Sequence, residues 1–382
     1  MSSTSGFVGQ DEEMEAYCRE GTRKAMGLGN RGPVRFTADG QLHPAILDAW
    51  RRDGFYVFEG VISAGELAEM EADFFAMVDR FPTAPGARLD HKGRPAIGTD
   101  HDAPTMVWSK PLGDPFGGTS VSKSRHPVKM REHEAAAGLP EQIVAGVLGT
   151  LQYMDAALRL HAHPDLLGIA AALNGDDFTP LVEAVAIKKP GEGPSIAWHQ
   201  DGMTHWDSPD WTPDIHGCNF MPQLYGSTAA NGVWFVPGSH RLGKLDIKAM
   251  VEEAGTERLP DAIPLVCRPG DVCVSNRQIV HGSFANVSPD WRVTFNMGAL
   301  KRKAVLGASG SGMIREREVR YDESMIRDRC AMVGYAIDAR RRHRPDEKPF
   351  VYAPHADSGE QYVWDEAVRE AIRGYNKRDL II

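Results

Sequence analysis

The spacing of apolar residues changes character along this chain, from helical to alternating and back to helical. Residues 1–42 are polar and glycine-containing and read as a loosely attached lead. A short helix is predicted over 44–52, feeding a strand at Phe55-Tyr56-Val57-Phe58. Ser63 and Glu66 then form a capping box, and Leu67, Met70, Phe74, Met77 and Phe81 recur at three- and four-residue intervals. That spacing predicts a helix to about 81 with its stripe in the core. Residues 82–139 are rich in Pro, Gly, Asp and His with little periodicity, and read as a long loop.

Helical patterns return at 141–160 and 165–173. The texture then becomes that of short strands, at 181–188, 196–200, 219–225, 233–236, 263–267, 272–275 and 292–300. Pro-Gly, Asn-Gly and Gly-Ser pairs punctuate them, and 238–262 reads as a long connection containing a helix. From 301 the pattern is helical and arginine-rich, with Arg327, Arg329 and the run Arg340-Arg341-Arg342-His343-Arg344. Such a run reads as a solvated helix face beside the barrel. The fold class expected is mainly β with flanking helices (α+β): a double-stranded β-helix, or jelly roll, with N-terminal helices against one sheet and a helical C-terminal extension.

Composition narrows the function. The 382 residues are 42% hydrophobic and 25% charged, as in a globular protein able to bury a sizeable core. A net charge of −9 argues against a nucleic-acid partner, which calls for a basic surface. No apolar run is long enough to span a bilayer, and the polar start Met1-Ser2-Ser3-Thr4-Ser5-Gly6 lacks the apolar stretch of a secretory signal. No membrane association is expected. Five cysteines make no dense framework; Cys267 and Cys273 flank a Pro-Gly turn, and reduced, buried thiols in a cytoplasmic protein are expected.

The chemistry concentrates in His199-Gln200-Asp201, His281 and Arg292. Side chains two apart on a strand project from one face, so His199 and Asp201 can grip one ion, with His281 as the third ligand. Two imidazoles and one carboxylate form the facial set that holds Fe(II) with positions left open. A buried Asp without compensation is costly, and a divalent cation offsets that cost. Iron is favoured over zinc, because closed zinc sites prefer four protein ligands. Arg292 presents a fork suited to the carboxylate of an organic acid.

Among fourteen histidines chance matches arise. His163-Pro164-Asp165 is also His-x-Asp, but its Pro suits a helix start. Thr99-Asp100-His101-Asp102 reads as surface or substrate-facing. His240 follows a Pro-Gly-Ser turn and reads as a framework residue. Lys110, Lys123 and Arg125 are cations for which solvent exposure is the expected fate. Trp198, His205, Trp206 and Trp211 surround the motif, either to cage a substrate or to close the end of the barrel.

The ordered series is more specific than any one piece. Trp198-His199-Gln200-Asp201, Asn231-Gly232, Pro237-Gly238-Ser239-His240, Gly270-Asp271-Val272, His281-Gly282-Ser283, Asn286, Ser288 and Arg292 resemble the phytanoyl-CoA dioxygenase family of Fe(II)/2-oxoglutarate oxygenases. The resemblance reaches back to Asp53-Gly54-Phe55-Tyr56-Val57 and covers roughly residues 43–300. It implies an oxygenase domain over 43–300, in which loop 82–139 helps to cover the active site, and a C-terminal extension over 301–382 packed on the same domain. It further implies that His199, Asp201 and His281 bind Fe(II) and that Arg292 pairs with the distal carboxylate of 2-oxoglutarate, with Ser283 as a further contact. The family commonly carries an aromatic residue near Met221, which this chain lacks; Asn219 and Gln223 are polar candidates on the same strand.

The implied reaction couples decarboxylation of 2-oxoglutarate, with O2, to oxidation of a C–H bond in a small molecule. Related halogenases place a small residue where Asp201 stands, so this carboxylate favours hydroxylation or desaturation. Two rivals remain: a silent jelly roll that binds a small acid, and a cupin-like metal hydrolase or isomerase. The latter needs a base beside the metal, for which only His205 and His216 offer themselves.

Overall fold

The alternation read from the strands is realised as two facing sheets. The computed structural model describes residues 12–100, 105–181, 183–310, 319–356 and 358–375. The larger sheet runs Arg31–Gly32, Phe55–Phe58, Val272–Asn276, Cys218–Pro222, Arg292–Leu300, Ala184–Lys188, Ile143–Leu148, Met106–Ser109, and Thr179–Pro180 pairs with the end of Arg292–Leu300. The smaller sheet runs Ile263–Pro264, Trp234–Phe235, His281–Ser283, Ile196–His199. All pairings are antiparallel except that of Arg31–Gly32 with Phe55–Phe58. This is the jelly-roll core.

The two-residue period decides what each face does. In Arg292–Leu300, Val293 and Phe295 join the outer apolar cluster under the helices, while Arg292 and Asn296 line an inner cavity. In Cys218–Pro222, Phe220 points out and Asn219 and Met221 point in. Phe55 of the larger sheet stacks on Phe235 of the smaller one at 4.6 Å within an apolar cluster between the sheets. The inner cavity lies between the same sheets.

The capping box at Ser63 and Glu66 is formed, and the helix Ala64–Val78 buries Met70, Phe74 and Met77. His163 precedes the helix Pro164–Asn174, with Pro164 in its first turn. Between residues 238 and 262 lies the helix Ile247–Ala254. Among the described residues no helix is long and apolar enough to cross a membrane.

Four expectations are revised. Residues 12–27 are no loose lead: they form the helix Glu12–Gly27, which seats Met14, Cys18, Gly21 and Ala25 on the smaller sheet. Apart from Met14 its buried stripe is made of small residues, Cys18, Gly21 and Ala25, which the charged residues around them conceal. Within 141–160, Ile143–Leu148 is a strand and only Asp155–His161 is α-helical. Its branched residues Ile143, Val144 and Val147 favour a pleated surface, and neighbouring edges supply partners on both sides. The long loop contains a further edge strand, Met106–Ser109.

The arginine run is not simply solvated. The helix Glu323–His343 buries Arg329 and Arg340, and Arg340 bridges to Glu66 at 2.8 Å. His343 and Arg344 reach Glu69 at 3.0 and 3.2 Å. These contacts tie the C-terminal helix to the Ala64–Val78 helix; Arg341 and Arg342 stay exposed and pair with Asp338.

Two outcomes test this packing. A Cβ at Gly21 would lie 2.7 Å from the Trp234 ring and 2.9 Å from Pro264. Gly21→Leu should therefore destabilise the protein by about 1–3 kcal/mol in chemical denaturation; an unchanged midpoint contradicts docking of the first helix. Beneath the C-terminal helix, Glu183 stands 3.9 Å from Arg329, and burial, opposed by Arg329, pushes its carboxyl up to about 7. A folded-state value above the unfolded one contributes stability that is complete at low pH and lost as pH rises through about 7. Relative to the parent, Glu183→Gln should gain up to about 3 kcal/mol between pH 5 and pH 8, at about 1.4 kcal/mol per unit. A pH-independent difference contradicts this.

Candidate active site

The register of the smaller sheet creates the site. His281 sits directly opposite His199 across the antiparallel pair His281–Ser283 and Ile196–His199. Their rings lie 4.0 Å apart between centroids. Asp201, just past the strand end, is held by its backbone N–H donating to the Arg277 carbonyl at 2.8 Å. Its carboxylate oxygens lie 3.7 Å from His199 Nε2 and 3.9 Å from His281 Nε2. One ligand atom from each of the three residues falls within 4.8 Å of the others. All three side chains are buried.

The donor set suits a divalent cation. His199 Nδ1 donates to the Ala197 carbonyl at 2.8 Å and His281 Nδ1 to the Ile279 carbonyl at 3.0 Å. Those bonds fix the tautomer and leave Nε2 of each ring as a lone-pair donor facing Asp201. Burial, reinforced by His281 and His126, holds the His199 imidazole well below its usual range, and burial also lowers His281. For Asp201 burial acts in the opposite direction, but Arg125, His281, His199 and Arg277 outweigh it and keep the carboxyl ionised. At neutral pH the site thus offers two neutral imidazoles and one carboxylate, the protonation states that metal binding needs.

Arg292 and Ser283 line the same cavity, of about 270 Å³, together with Asn219, Met221, Arg277 and Asn296. A relay orients the guanidinium. Arg292 Nε donates to Thr294 Oγ1 at 2.9 Å, Thr294 donates to Gln223 Oε1 at 2.9 Å, and Gln223 Nε2 donates to the Met221 carbonyl at 2.9 Å. Gln223 is thus a support behind the cavity. Burial lowers Arg292 to about 10, so it stays charged at neutral pH. Asn219 Nδ2 donates to Asp201 Oδ2 at 2.6 Å and so orients the carboxylate.

Sequence reasoning missed Lys188. It is buried, and its Nζ donates to Ser283 Oγ at 2.8 Å and to the Phe284 carbonyl at 2.6 Å. Its signal was a lysine at an inward position of Ala184–Lys188, paired with Arg292 across the strands. Arg125, expected in solvent, instead places Nη1 3.1 Å from Asp201 Oδ1 with its side chain 15% exposed. The ring of the adjacent His126 packs 4.1 Å from His199 and stacks on Phe116 at 5.2 Å. Loop 82–139 therefore reaches the centre through one dipeptide. Lys110 pairs with Glu132, while Lys123 is exposed.

The aromatic group around the motif splits. Trp198 faces a separate apolar cluster that includes Cys18 of the first helix, Trp234 and Phe284, and its indole donates to the Glu257 carbonyl at 2.8 Å. Trp206 packs on His216 at 4.6 Å and lines a neighbouring cavity. Trp211 and His205 are half-buried, and His216 Nε2 lies 2.5 Å from the Thr204 carbonyl. Neither His205 nor His216 lines the cavity that holds His199, Asp201 and His281. His240 serves the framework, with Nε2 3.1 Å from the Arg51 carbonyl. His101 and Asp102 lie outside the described residues; Asp100 pairs with Arg373.

Fold and site together define a jelly-roll protein with a two-histidine, one-carboxylate centre. Residues 50–294 match the phytanoyl-CoA dioxygenase (PhyH) family, and the chain belongs to that family. Phytanoyl-CoA dioxygenase 1 of Oryza sativa subsp. japonica is 32% identical over 111 residues, which span 27% of this chain and 37% of that protein. The crystal structure of EctD from S. alaskensis with 2-oxoglutarate and 5-hydroxyectoine is similar in fold. It is 22% identical, covers 75% of this chain and 89% of that one, and has a TM-score of 0.50. The non-heme alpha ketoglutarate dependent epimerase SnoN from nogalamycin biosynthesis is 19% identical, covering 68% and 84% of the two chains with a TM-score of 0.44.

His199→Ala and Asp201→Ala should each weaken Fe(II) or Co(II) binding by more than the roughly 10–100-fold that loss of an outer hydrogen-bond partner costs. Equilibrium dialysis with metal analysis reads this, and circular dichroism should show the fold retained. Unchanged affinity in both variants overturns the ligand assignment.

Proposed function

We propose that this member of the phytanoyl-CoA dioxygenase family, a non-haem Fe(II)/2-oxoglutarate-dependent dioxygenase, hydroxylates a C–H bond of a small molecule with release of succinate and carbon dioxide. The observation that carries the reading is the meeting of His199, Asp201 and His281 with Arg292 in one cavity. His199, Asp201 and His281 hold the iron. When bound, Fe(II) with 2-oxoglutarate and O2 supplies the oxidising chemistry.

The residues of the chain supply orientation and exclusion of water. The Arg292 fork, with Nε committed to Thr294, presents its remaining donors to the far carboxylate of 2-oxoglutarate. The Ser283 hydroxyl, accepting from Lys188, can donate its own proton to the same cosubstrate. Asn219 holds the Asp201 carboxylate in place from the opposite sheet. Leu181, Met221, Val233 and Met297 supply an apolar wall against which a C–H bond can lie. The carboxylate at 201 supports hydroxylation over halogenation.

The complete donor set weighs against a silent acid-binding domain. The hydrolytic alternative lacks its base, since His205 and His216 stand off the cavity. The proposed setting is the cytoplasm, which five buried, unpaired cysteines support.

Succinate formation with Fe(II), ascorbate and 2-oxoglutarate tests the reaction class. Arg292→Leu should raise the 2-oxoglutarate requirement by the equivalent of about 2–4 kcal/mol, as expected on losing one partner of a buried charge pair. An unaltered dependence on 2-oxoglutarate means that the arginine serves another purpose.

A further inference from the structure

A small apolar void lies on the helix side of the larger sheet, behind the cavity that holds His199, Asp201 and His281. His161 of the helix Asp155–His161, Leu167 and Ala170 of Pro164–Asn174, and Val333 of Glu323–His343 line it on the helix side, and Phe220 and Met297 of the sheet line its floor. Every residue that lines it is buried. It measures about 20 Å³, where roughly 10–15 Å³ admits one water-sized molecule. Packed interiors seldom leave such a gap, because it forfeits dispersion contacts and costs stability.

The lining favours an apolar occupant. Among the described residues its one polar side chain is His161, whose ring nitrogens make no hydrogen bond. Burial, reinforced by Arg329, lowers that imidazole to about 3, so it is uncharged at neutral pH. An ordered water needs several polar partners, and the two nitrogens of one ring cannot both reach one molecule. Buried apolar voids stay dry and take up xenon or benzene, which enter through transient openings of the packing.

The void and the site cavity are neighbours through the strand Arg292–Leu300. Met297 lines both, and Pro180 of the void adjoins Leu181 of the cavity. At this point the sheet is interrupted. Along one side of the strand the ladder ends at Asn296, opposite Ala184, and resumes at Ala299, opposite Pro180. Met297 and Gly298 face that break, where the Leu181 N–H donates to the Gly298 carbonyl at 2.8 Å. A Cβ at Gly298 would lie 2.7 Å from the Leu181 Cβ, so the glycine lets Leu181 seat there. Beside the break stands Met297, a flexible and unbranched thioether, where a continuous ladder would otherwise divide the two spaces.

We infer that the void is a holding site for dioxygen, which passes Met297 to reach the site cavity from behind. Dioxygen is small and apolar, so it partitions from water into such a space. In the proposed reaction it arrives at a cavity already occupied by a diacid and a substrate, and a route through the sheet leaves the front of that cavity closed to water. The inference rests on the proposed dioxygenase reading and adds to it the path of the gaseous cosubstrate.

Xenon binding and oxygen kinetics of the full chain test this. A crystal pressurised with xenon should show an anomalous peak in the void, against Leu167, Ala170 and Met297. Ala170→Leu, whose added carbons fill the void, should lose the peak. In succinate formation with Fe(II), ascorbate and 2-oxoglutarate, its KM for O2 should rise about threefold or more, with the KM for 2-oxoglutarate unchanged. Val333→Ile, a milder filling, should move both readouts in the same direction. Ala172→Leu, on the same helix but outside the void, should change neither. A parent that forms no succinate at any O2 concentration fails as a dioxygenase, and the inference falls with that reading. A parent that forms succinate overturns the inference alone if its void takes up no xenon or holds an ordered water, or if Ala170→Leu keeps the parent's KM for O2.

Discussion

The cross-strand pairing of His281 with His199 is the constraint on which the site depends, because side chains on a strand alternate strictly between faces. A slip of one residue in either strand would send an imidazole out among Trp198, Trp234 and Val280, and the cavity would lose that side chain. The register is secured from outside the site. Trp234 pairs with Gly282 and Phe235 with His281. The Trp234 ring is gripped by Tyr17 of the first helix, stacked at 4.4 Å. A Cβ at Gly282 would come within 3.1 Å of the Trp198 ring, so the glycine allows the two strands to close. Helix, tryptophans and glycine thus hold the register that brings the two histidines together.

Burial gives this arrangement its chemistry. Low polarity strips the proton from both imidazoles, and the surrounding cations keep it off Asp201 even though burial alone would favour it there. Arg125 occupies one oxygen of that carboxylate at 3.1 Å. A loop residue therefore reports on the centre directly, and the loop's seating and the state of the carboxylate are linked through one ion pair. On the other side, the relay from Arg292 through Thr294 to Gln223 turns a flexible side chain into a fixed fork.

Much of this was legible in the sequence, for identifiable reasons. Period-two strands with Gly and Pro punctuation gave the jelly roll, and Arg292–Leu300 was read at its observed bounds because nothing irregular interrupts it. The convergence of His199 and Asp201 was readable because side chains two apart on a strand share one face, and the fold brings His281 and Arg292 to the same cavity. What escaped depended on tertiary partners. Ile143–Leu148 is apolar enough for either element, and its neighbours decide that it is a strand. Arg125 looks like any loop cation until Asp201 is placed beside it. Arg329 and Arg340 sit in an arginine-rich stretch; Arg340 pairs with Glu347 seven residues on, but the acids that tie the two arginines to the rest of the fold, Glu183 and Glu66, lie more than a hundred residues away.

In the proposed function, His199, Asp201 and His281 seat one ferrous ion beside a diacid anchored by Arg292. A crystal structure of the protein loaded anaerobically with Fe(II) and 2-oxoglutarate, with anomalous data at the iron edge, tests it most directly. One iron peak is expected about 2.0–2.2 Å from an Nε2 of each histidine and an oxygen of Asp201, distances usual for such ligands. The far carboxylate of 2-oxoglutarate is expected on the Arg292 guanidinium. An iron peak bound by other side chains, or a diacid held away from Arg292, would contradict this reading.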